Sequence, residues 1–315
     1  MNVLVTGATG FVGSAVVQRL SGQGDVYAAV RKPSDMFSEE VKQVIVGDLA
    51  ADTDYTGAVK HMDVVVHAAA RVHVMDDDSA DPLAEFRKVN VEGTLNLARQ
   101  AADAGVRRFV FISSIKVNGE TTTGKRPFLP DDTYQTTDPY GLSKLEAEQS
   151  LFNLAQATGI EVVVIRPPLI YGPNVKANFR KLIETVDKGV PLPLGAVHNQ
   201  RSLVALDNLV DFICLCTTHP KAAGEVFLIS DGEDVSTTEL LQKVAKALGK
   251  PSRLIPVPVS LMTFAAKLIG KADVAERLFG SLQVDSNKAR ELLGWQPVVT
   301  MDKQLKKTVY PYLRK

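Results

Sequence analysis

A phenol, an ammonium and a hydroxyl set the chemistry available to this chain. Tyr140 and Lys144 lie in Thr137-Asp-Pro-Tyr-Gly-Leu-Ser-Lys144, downstream of the serine pair Ser113 and Ser114 at a strand end and of a glycine-rich turn at the N-terminus. On a helix, positions four apart share a face, so the Lys144 ammonium is expected beside the Tyr140 phenol, where it favours the ionised form. A tyrosine held in this way exchanges a proton near neutral pH.

The glycine-rich turn supplies a second function. Gly7-Ala-Thr-Gly10-Phe11-Val12-Gly13 follows a short apolar strand directly and opens a helix. Glycines there let the backbone turn sharply and approach a pyrophosphate, which the free N–H groups and dipole of the helix N-terminus stabilise. A plain tight turn is the competing reading, and the strand-to-helix setting weighs against it. The second strand ends in Ala28-Ala-Val-Arg31-Lys32. An acid at that place would hold ribose hydroxyls, whereas the basic Arg31 suits a 2′-phosphate, unless it is simply a solvated strand end. Asp48, in Gly47-Asp48-Leu49 at the end of the third strand, is placed to meet an adenine amine or to cap a turn.

These residues need a scaffold, and the pattern of the chain predicts one. Apolar, β-rich runs at Val3–Thr6, Val26–Val30, Val44–Val46, Val64–His67, Phe109–Ile112 and Val162–Arg166 alternate with helical stretches, among them Gly10–Ser21, Pro82–Ala104 and Asp138–Thr158. That rhythm predicts an α/β fold, a doubly wound parallel sheet with right-handed crossovers. After Arg166 prolines multiply and the elements shorten. Residues 1–166 are therefore read as a dinucleotide-binding domain and 167–315 mainly as a smaller C-terminal substrate-binding lobe. The lobe is interwoven: residues 203–230 return to the first domain through a core helix at Leu203–Cys216 and a strand at Val226–Ile229. The amphipathic run Leu261–Ile269 is read as packing within the small lobe, with contact to a membrane surface second.

Composition narrows the partners. The chain has 315 residues with 36 basic and 36 acidic side chains, so no net field draws it to nucleic acid or an anionic membrane. The apolar runs fall short of the ~18 residues a membrane span needs. Cys214 and Cys216 sit in an apolar run and read as packed thiols in a reducing compartment, the cytoplasm by default. His61, His73, His198 and His219 have no ligand spacing, so no metal is expected.

Taken together, the motifs resemble the extended short-chain dehydrogenase/reductase family, mostly nucleotide-sugar epimerases, dehydratases and reductases on a Rossmann-type sheet. Besides the turn and the Tyr140–Lys144 segment, the resemblance rests on His67-Ala-Ala-Ala70, Asn90-Val-Glu-Gly-Thr94, Ile112-Ser-Ser114, Arg166-Pro-Pro-Leu-Ile-Tyr-Gly-Pro173 and Arg201-Ser-Leu-Val-Ala-Leu-Asp-Asn208. It implies that Tyr140 is the acid/base, that Lys144 binds the nicotinamide ribose and lowers the phenol pKa, and that Ser114 bonds the reacting oxygen. A hydride leaving or joining a sugar carbon requires a matching proton on its oxygen, so a phenol within ~3 Å of that oxygen is needed. The resemblance also places Gly7, Gly10, Phe11, Val12, Gly13, Arg31, Asp48, Leu49, Ala68, Ala69, Asn90 and Pro167 at the cofactor. Asn178, Phe179, Leu192, Arg201 and Arg277 fall where the family grips the base and diphosphate of a UDP-sugar; Arg277 is otherwise a surface residue. A homodimer through the helices within Pro82–Ala104 and Asp138–Thr158 is implied as well.

Among the family's reactions, dehydration requires an Asp-Glu pair just after the catalytic hydroxyl residue, and Ile115-Lys116 stands there instead. Two reactions remain: reduction of a UDP-4-keto-6-deoxy-N-acetylhexosamine for surface polysaccharide, and 4-epimerisation with tightly bound NAD. Val110–Glu120 resembles a subgroup that includes such C4 reductases, and Asn118 replaces a tyrosine common in the epimerases. With Arg31 favouring NADP(H) over NAD(H), the reductase is the leading expectation, the epimerase the alternative and a non-catalytic nucleotide-binding scaffold the remote one.

Overall fold

In the computed structural model, which describes residues 1–72, 81–132, 136–270 and 272–313, the strands are β1 (Asn2–Thr6), β2 (Asp25–Val30), β3 (Lys42–Ile45), β4 (Val64–His67), β5 (Arg108–Ile112), β6 (Glu161–Arg166), β7 (Leu169–Tyr171), β8 (Arg201–Ala205), β9 (Val226–Leu228) and β10 (Asp234–Val235). One parallel sheet runs in the order β3-β2-β1-β4-β5-β6-β9, and a small sheet runs β10-β8-β7. The helices are α1 (Phe11–Leu20), α2 (Thr56–Val59), α3 (Pro82–Arg87), α4 (Thr94–Asp103), α5 (Pro139–Thr158), α6 (Ala177–Asp187), α7 (Leu206–Thr218), α8 (Thr237–Ala247), α9 (Val259–Leu268), α10 (Ala272–Phe279), α11 (Asn287–Leu293) and α12 (Met301–Val309). His73 lies outside the described residues.

Alternation along each strand feeds two cores. Val3, Val5, Val64, Val66, Val110 and Ile112 pack on one face with Val16 and Val17 of α1 and Leu209, Phe212 and Ile213 of α7. Leu4, Val65, Phe109 and Phe111 pack on the other with Leu97, Ala98 and Ala101 of α4 and Ala147 and Leu151 of α5. Side chains one apart point to opposite faces, and each large apolar group fully buried this way contributes ~1.5–3 kcal/mol. Strand order reverses between β1 and β4, whose register pairs Thr6 with His67, while His67 pairs with Phe111 of β5. The carboxyl ends of β1, β4 and β5 are thus level, and in open α/β sheets of this kind ligands bind in the cleft beyond the carboxyl ends at the switch point.

Three expectations change. The run Leu203–Cys216 is not one helix: Leu203–Ala205 belong to β8, which pairs in parallel with β7, and α7 starts at Leu206. Pro82–Ala104 is interrupted by a π-turn at Lys88–Gly93. Gly93 is packed so tightly that a Cβ there would lie 2.8 Å from the Leu49 carbonyl carbon, and the turn brings it there. Leu261–Ile269 does not pack into the small lobe. That lobe's core is Tyr171, Phe179, Ile183, Leu241, Val244, Met301 and Leu305, and α9 has no buried residue.

Candidate active site

At the nucleotide end, contact explains the glycines. Gly7 has a positive φ of 63°, and a Cβ on it would stand 2.7 Å from the Ala68 carbonyl carbon; a Cβ on Gly13 would stand 2.2 Å from the Gly7 oxygen. Gly10 N–H donates to that oxygen at 2.8 Å and closes the turn. Gly10 is also the N-cap of α1, with no side-chain cap and no acid in the first turn. The N–H groups of Phe11, Val12 and Gly13 therefore begin the helix uncapped, a donor set that suits a pyrophosphate. Arg31 and Asp48, both largely exposed, bond to each other at 3.0 Å. The side chains read as contacts for a 2′-phosphate and an adenine amine are thus one another's partners. Leu49 presents its backbone to Gly93.

Further along, Asn90 in the π-turn acts as a clamp. Its Oδ1 accepts from Arg71 N–H at 2.8 Å, and its Nδ2 donates to Arg71 O and to Ser143 Oγ, both at 3.0 Å. This ties the segment after β4, with Ala68 and Ala69, to α5. His67 is sealed beneath it between Thr6 Oγ1 (2.6 Å) and Thr94 Oγ1 (2.9 Å). Burial, aided by the Lys144 charge, pulls the imidazole down to about 3, so it is neutral at physiological pH.

Asp138 fixes the start of α5. Its Oδ1 accepts from Gly141 N–H at 2.8 Å, its Oδ2 pairs with Lys116 Nζ at 3.0 Å, and Pro139 opens the helix. Lys116 therefore braces the cap rather than waving in solvent. Tyr140 and Lys144 then share a face as expected. Their electrostatics differ from expectation: burial, with the Asp138 charge, pushes the Tyr140 phenol up to about 12, while burial pulls Lys144 down to about 7 against the opposing pull of Glu148. The reason is desolvation of both groups. The Lys144 Nζ lies 3.9 Å from the Phe111 ring centroid, and the Tyr140 ring meets Phe86 edge-on. Ser114 Oγ caps a short 3-10 turn at Ile115–Val117, accepting from Lys116 N–H at 3.3 Å.

A buried network that the sequence reading missed supports these groups. Glu148, one helical turn beyond Lys144, accepts from Ser113 Oγ and pairs with Arg166 at 2.5 Å. Arg166 also donates to Asn118 Oδ1 and Pro130 O, each at 3.1 Å, and Asn118 donates to Leu129 O at 3.0 Å. Pro167 O accepts from Ile115 N–H at 3.0 Å. A carboxylate on the buried face of α5, four residues after Lys144, was the available signal.

At the far end, Arg201 Nη1 donates to the carbonyls of Arg277 (2.8 Å) and Gly280 (3.2 Å), and burial lowers its pKa. Arg277 meets Arg201 through its backbone. Asn178 is exposed on α6, while the Phe179 ring stacks on Tyr171 inside the lobe core and offers a ligand no side-chain edge. Leu192 is half-buried, its backbone paired with Arg253 and Ile255.

The model of the NAD dependent epimerase/dehydratase family matches residues 3–230. The chain belongs to this family. It is 49% identical over 320 residues to a UDP-glucose 4-epimerase of Vibrio cholerae, covering 99% of this chain and 96% of that one. Solved family folds superpose over its whole length: a UDP-glucose 4-epimerase with UDP-glucose from Thermotoga maritima (TM-score 0.78, 24% identity, 99% of that chain), and a UDP-glucuronic acid 4-epimerase with NAD from Bacillus cereus (TM-score 0.79, 22%, 99%). At those identities the two structures speak to the fold alone, and they share the Rossmann-type α/β architecture. The chain is an enzyme of the extended short-chain dehydrogenase/reductase type. No helix among the described residues is long and apolar enough to cross a membrane.

Proposed function

We propose that this protein is a UDP-sugar 4-epimerase that works with NAD held over the β1–α1 turn. The observation that carries this reading is the 49% identity to the Vibrio cholerae UDP-glucose 4-epimerase along nearly the full length of both chains. The glycine cradle and uncapped α1 N-terminus fit the cofactor's pyrophosphate. Bound there, the nicotinamide supplies hydride acceptance and return at sugar C4.

The chain's own part is proton transfer and positioning. Tyr140 takes the C4 hydroxyl proton as the ketone forms and gives it back when the alcohol is restored. Ser114 holds the same oxygen. With its phenol raised to about 12, Tyr140 is protonated at neutral pH and stands ready in the donating direction. The accepting direction requires Lys144, as ammonium, to swing from Phe111 toward the ribose and phenol and lower the Tyr140 pKa. Arg201 is the diphosphate anchor in this reading, because its planar fork matches paired phosphate oxygens.

C4 reduction of a 4-ketosugar is the second reading, favoured by Arg31 at the end of β2 and by Asn118 in place of a tyrosine. Asn118, however, has a structural task, bonding Arg166. Arg31 is paired to Asp48, so an NADP(H) preference would require it to exchange that carboxylate for a 2′-phosphate.

One experiment separates the readings. Purified protein is incubated with UDP-galactose and no added cofactor, and separately with NADPH and UDP-4-keto-6-deoxy-N-acetylglucosamine. Formation of UDP-glucose, with NAD released on denaturation, is expected; stoichiometric loss of NADPH without interconversion overturns the epimerase.

A further inference from the structure

Helix α5 begins against the turn that carries Ser114. Gly141, the residue after Tyr140, is packed so closely that a Cβ on it would stand 2.7 Å from the Lys116 carbonyl oxygen. The turn at Ile115–Val117 is closed by Ser114, whose carbonyl accepts from Val117 N–H at 3.1 Å and whose Oγ accepts from Lys116 N–H. The main chain of Lys116 therefore lies between the Ser114 and Tyr140 segments and meets both.

Its side chain makes a second bridge. Lys116 Nζ reaches Asp138 Oδ2 at 3.0 Å and Glu120 Oε1 at 3.5 Å. The Asp138 side chain is only 13% exposed, so breaking this pair would leave a carboxylate that water serves poorly. The other Asp138 oxygen caps Gly141 N–H. Burial and then the Asp138 charge oppose ionisation of the phenol two residues on.

The remaining charged groups around this end of α5 are paired with one another or turned to solvent. Glu85 of α3 pairs with Arg71 at 3.9 Å, and Arg87 pairs with Glu146 of α5. Lys88, Glu92, Arg99 and Asp103, on the π-turn and α4, are exposed. Glu148 pairs with Arg166 of β6, and His67 below is neutral. Lys144, four residues after Tyr140, is the cation that favours the phenolate. Asp138 is the carboxylate that opposes it, and Lys116 is the counter-charge to Asp138.

We infer that Lys116 is a positioning residue of the proton-transfer step, holding Ser114 and Tyr140 in register through its main chain and neutralising the Asp138 carboxylate near the phenol through its ammonium. The inference deepens the proposed function and rests on it for the proton step at C4. Lys116 acts through Asp138 and the start of α5. With Lys116 in place, Asp138 keeps its cap while its field is weakened; without Lys116, an unanswered carboxylate holds the proton on Tyr140.

The test is the pH profile of kcat and KM for UDP-galactose interconversion in the wild type and in Lys116→Met, Lys116→Arg, Asp138→Asn and Lys116→Met/Asp138→Asn. Melting temperature and bound NAD show that each variant folds; should Lys116→Met not fold, Lys116→Gln takes its place. The limb that rises as Tyr140 ionises is expected to move up by about one pH unit in Lys116→Met, lowering kcat on its acid side about tenfold with KM unchanged. Lys116→Arg keeps the charge and should restore the wild-type limb. Asn at 138 still caps Gly141 N–H but carries no charge, so Lys116→Met should not move the limb in that background. The inference is overturned if Lys116→Met lowers kcat equally at every pH, raises KM alone, or shifts the limb as far with Asn at 138. A wild type that leaves UDP-galactose unchanged defeats the epimerase reading alone. The same variants are then compared on NADPH consumption with UDP-4-keto-6-deoxy-N-acetylglucosamine, where the phenol donates and its limb falls with pH. The same upward shift is expected there, and its absence overturns the role of Lys116.

Discussion

The two ends of the cleft are held by different means. Around β4, β5 and α5, buried polar groups are locked in pairs: Asn90 on the Arg71 backbone, His67 between two threonines, Glu148 between Ser113 and Arg166. Around α6, β8 and the α9–α10 hairpin, one half-buried arginine is held by main-chain carbonyls, and large apolar side chains face outward. The difference teaches where precision is needed. On the proposed reading the proton donor lies at the locked end, where it must be fixed because a proton moves productively only over a hydrogen-bond distance, and the diphosphate would lie at the end with looser walls.

Substitution at the locked end should show this most strongly. Tyr140→Phe is expected to lower kcat about 10²–10⁴-fold with dinucleotide binding retained; near-normal turnover would remove Tyr140 from the proton step. Next comes Glu148→Ala, which strands the buried Arg166 guanidinium and is expected to cost about 3–5 kcal/mol in urea unfolding. A loss no larger than that of a surface substitution would show that the network is not what joins β5, α5 and β6.

The pH response sharpens the comparison further. His67 titrates at about 3 in the folded protein and near 6.5 when unfolded, so between those values the unfolded chain binds more protons. Stability is therefore expected to fall as pH drops from about 6.5 toward 3, at up to ~1.4 kcal/mol per pH unit. Melting curves of wild type and His67→Asn over that range check it, the variant showing the shallower slope. The smallest effect belongs to Arg31→Ala: exposed ion pairs contribute little, and no change in melting temperature is expected. An accompanying drop in affinity for NADPH but not NADH would restore the 2′-phosphate role.

Much of the locked end was legible in the sequence. The six strand runs up to Arg166 lie within two residues of the observed strands, because each is apolar on both faces and bounded by turn residues. Tyr140 and Lys144 share a face because helical spacing dictates it. Their pKa directions were not legible, since desolvation depends on what packs around them, here Phe86 and Phe111. Nor was the division at Ala205: an apolar run passing from strand to helix without a glycine or proline carries no boundary mark. Phe179 followed the same logic, its ring taken by the lobe core while its neighbour Asn178 stayed outside. At Leu261–Ile269 the amphipathic pattern specified an apolar face without saying which medium would receive it.

The π-turn at Lys88–Gly93 carries a consequence for how this protein can vary. A π-turn takes up one residue more than an α-turn, and each residue advances a helix by about 100°. That added residue sets the phase between α3 and α4, so that Phe86, Asn90, Gly93 and Leu97 all reach their separate neighbours. Within this segment, length is under tighter constraint than side-chain identity. Exchanges at its exposed positions leave the phase intact, whereas deletion of a single residue would rotate one helix against the other and pull the Asn90 clamp away from Arg71.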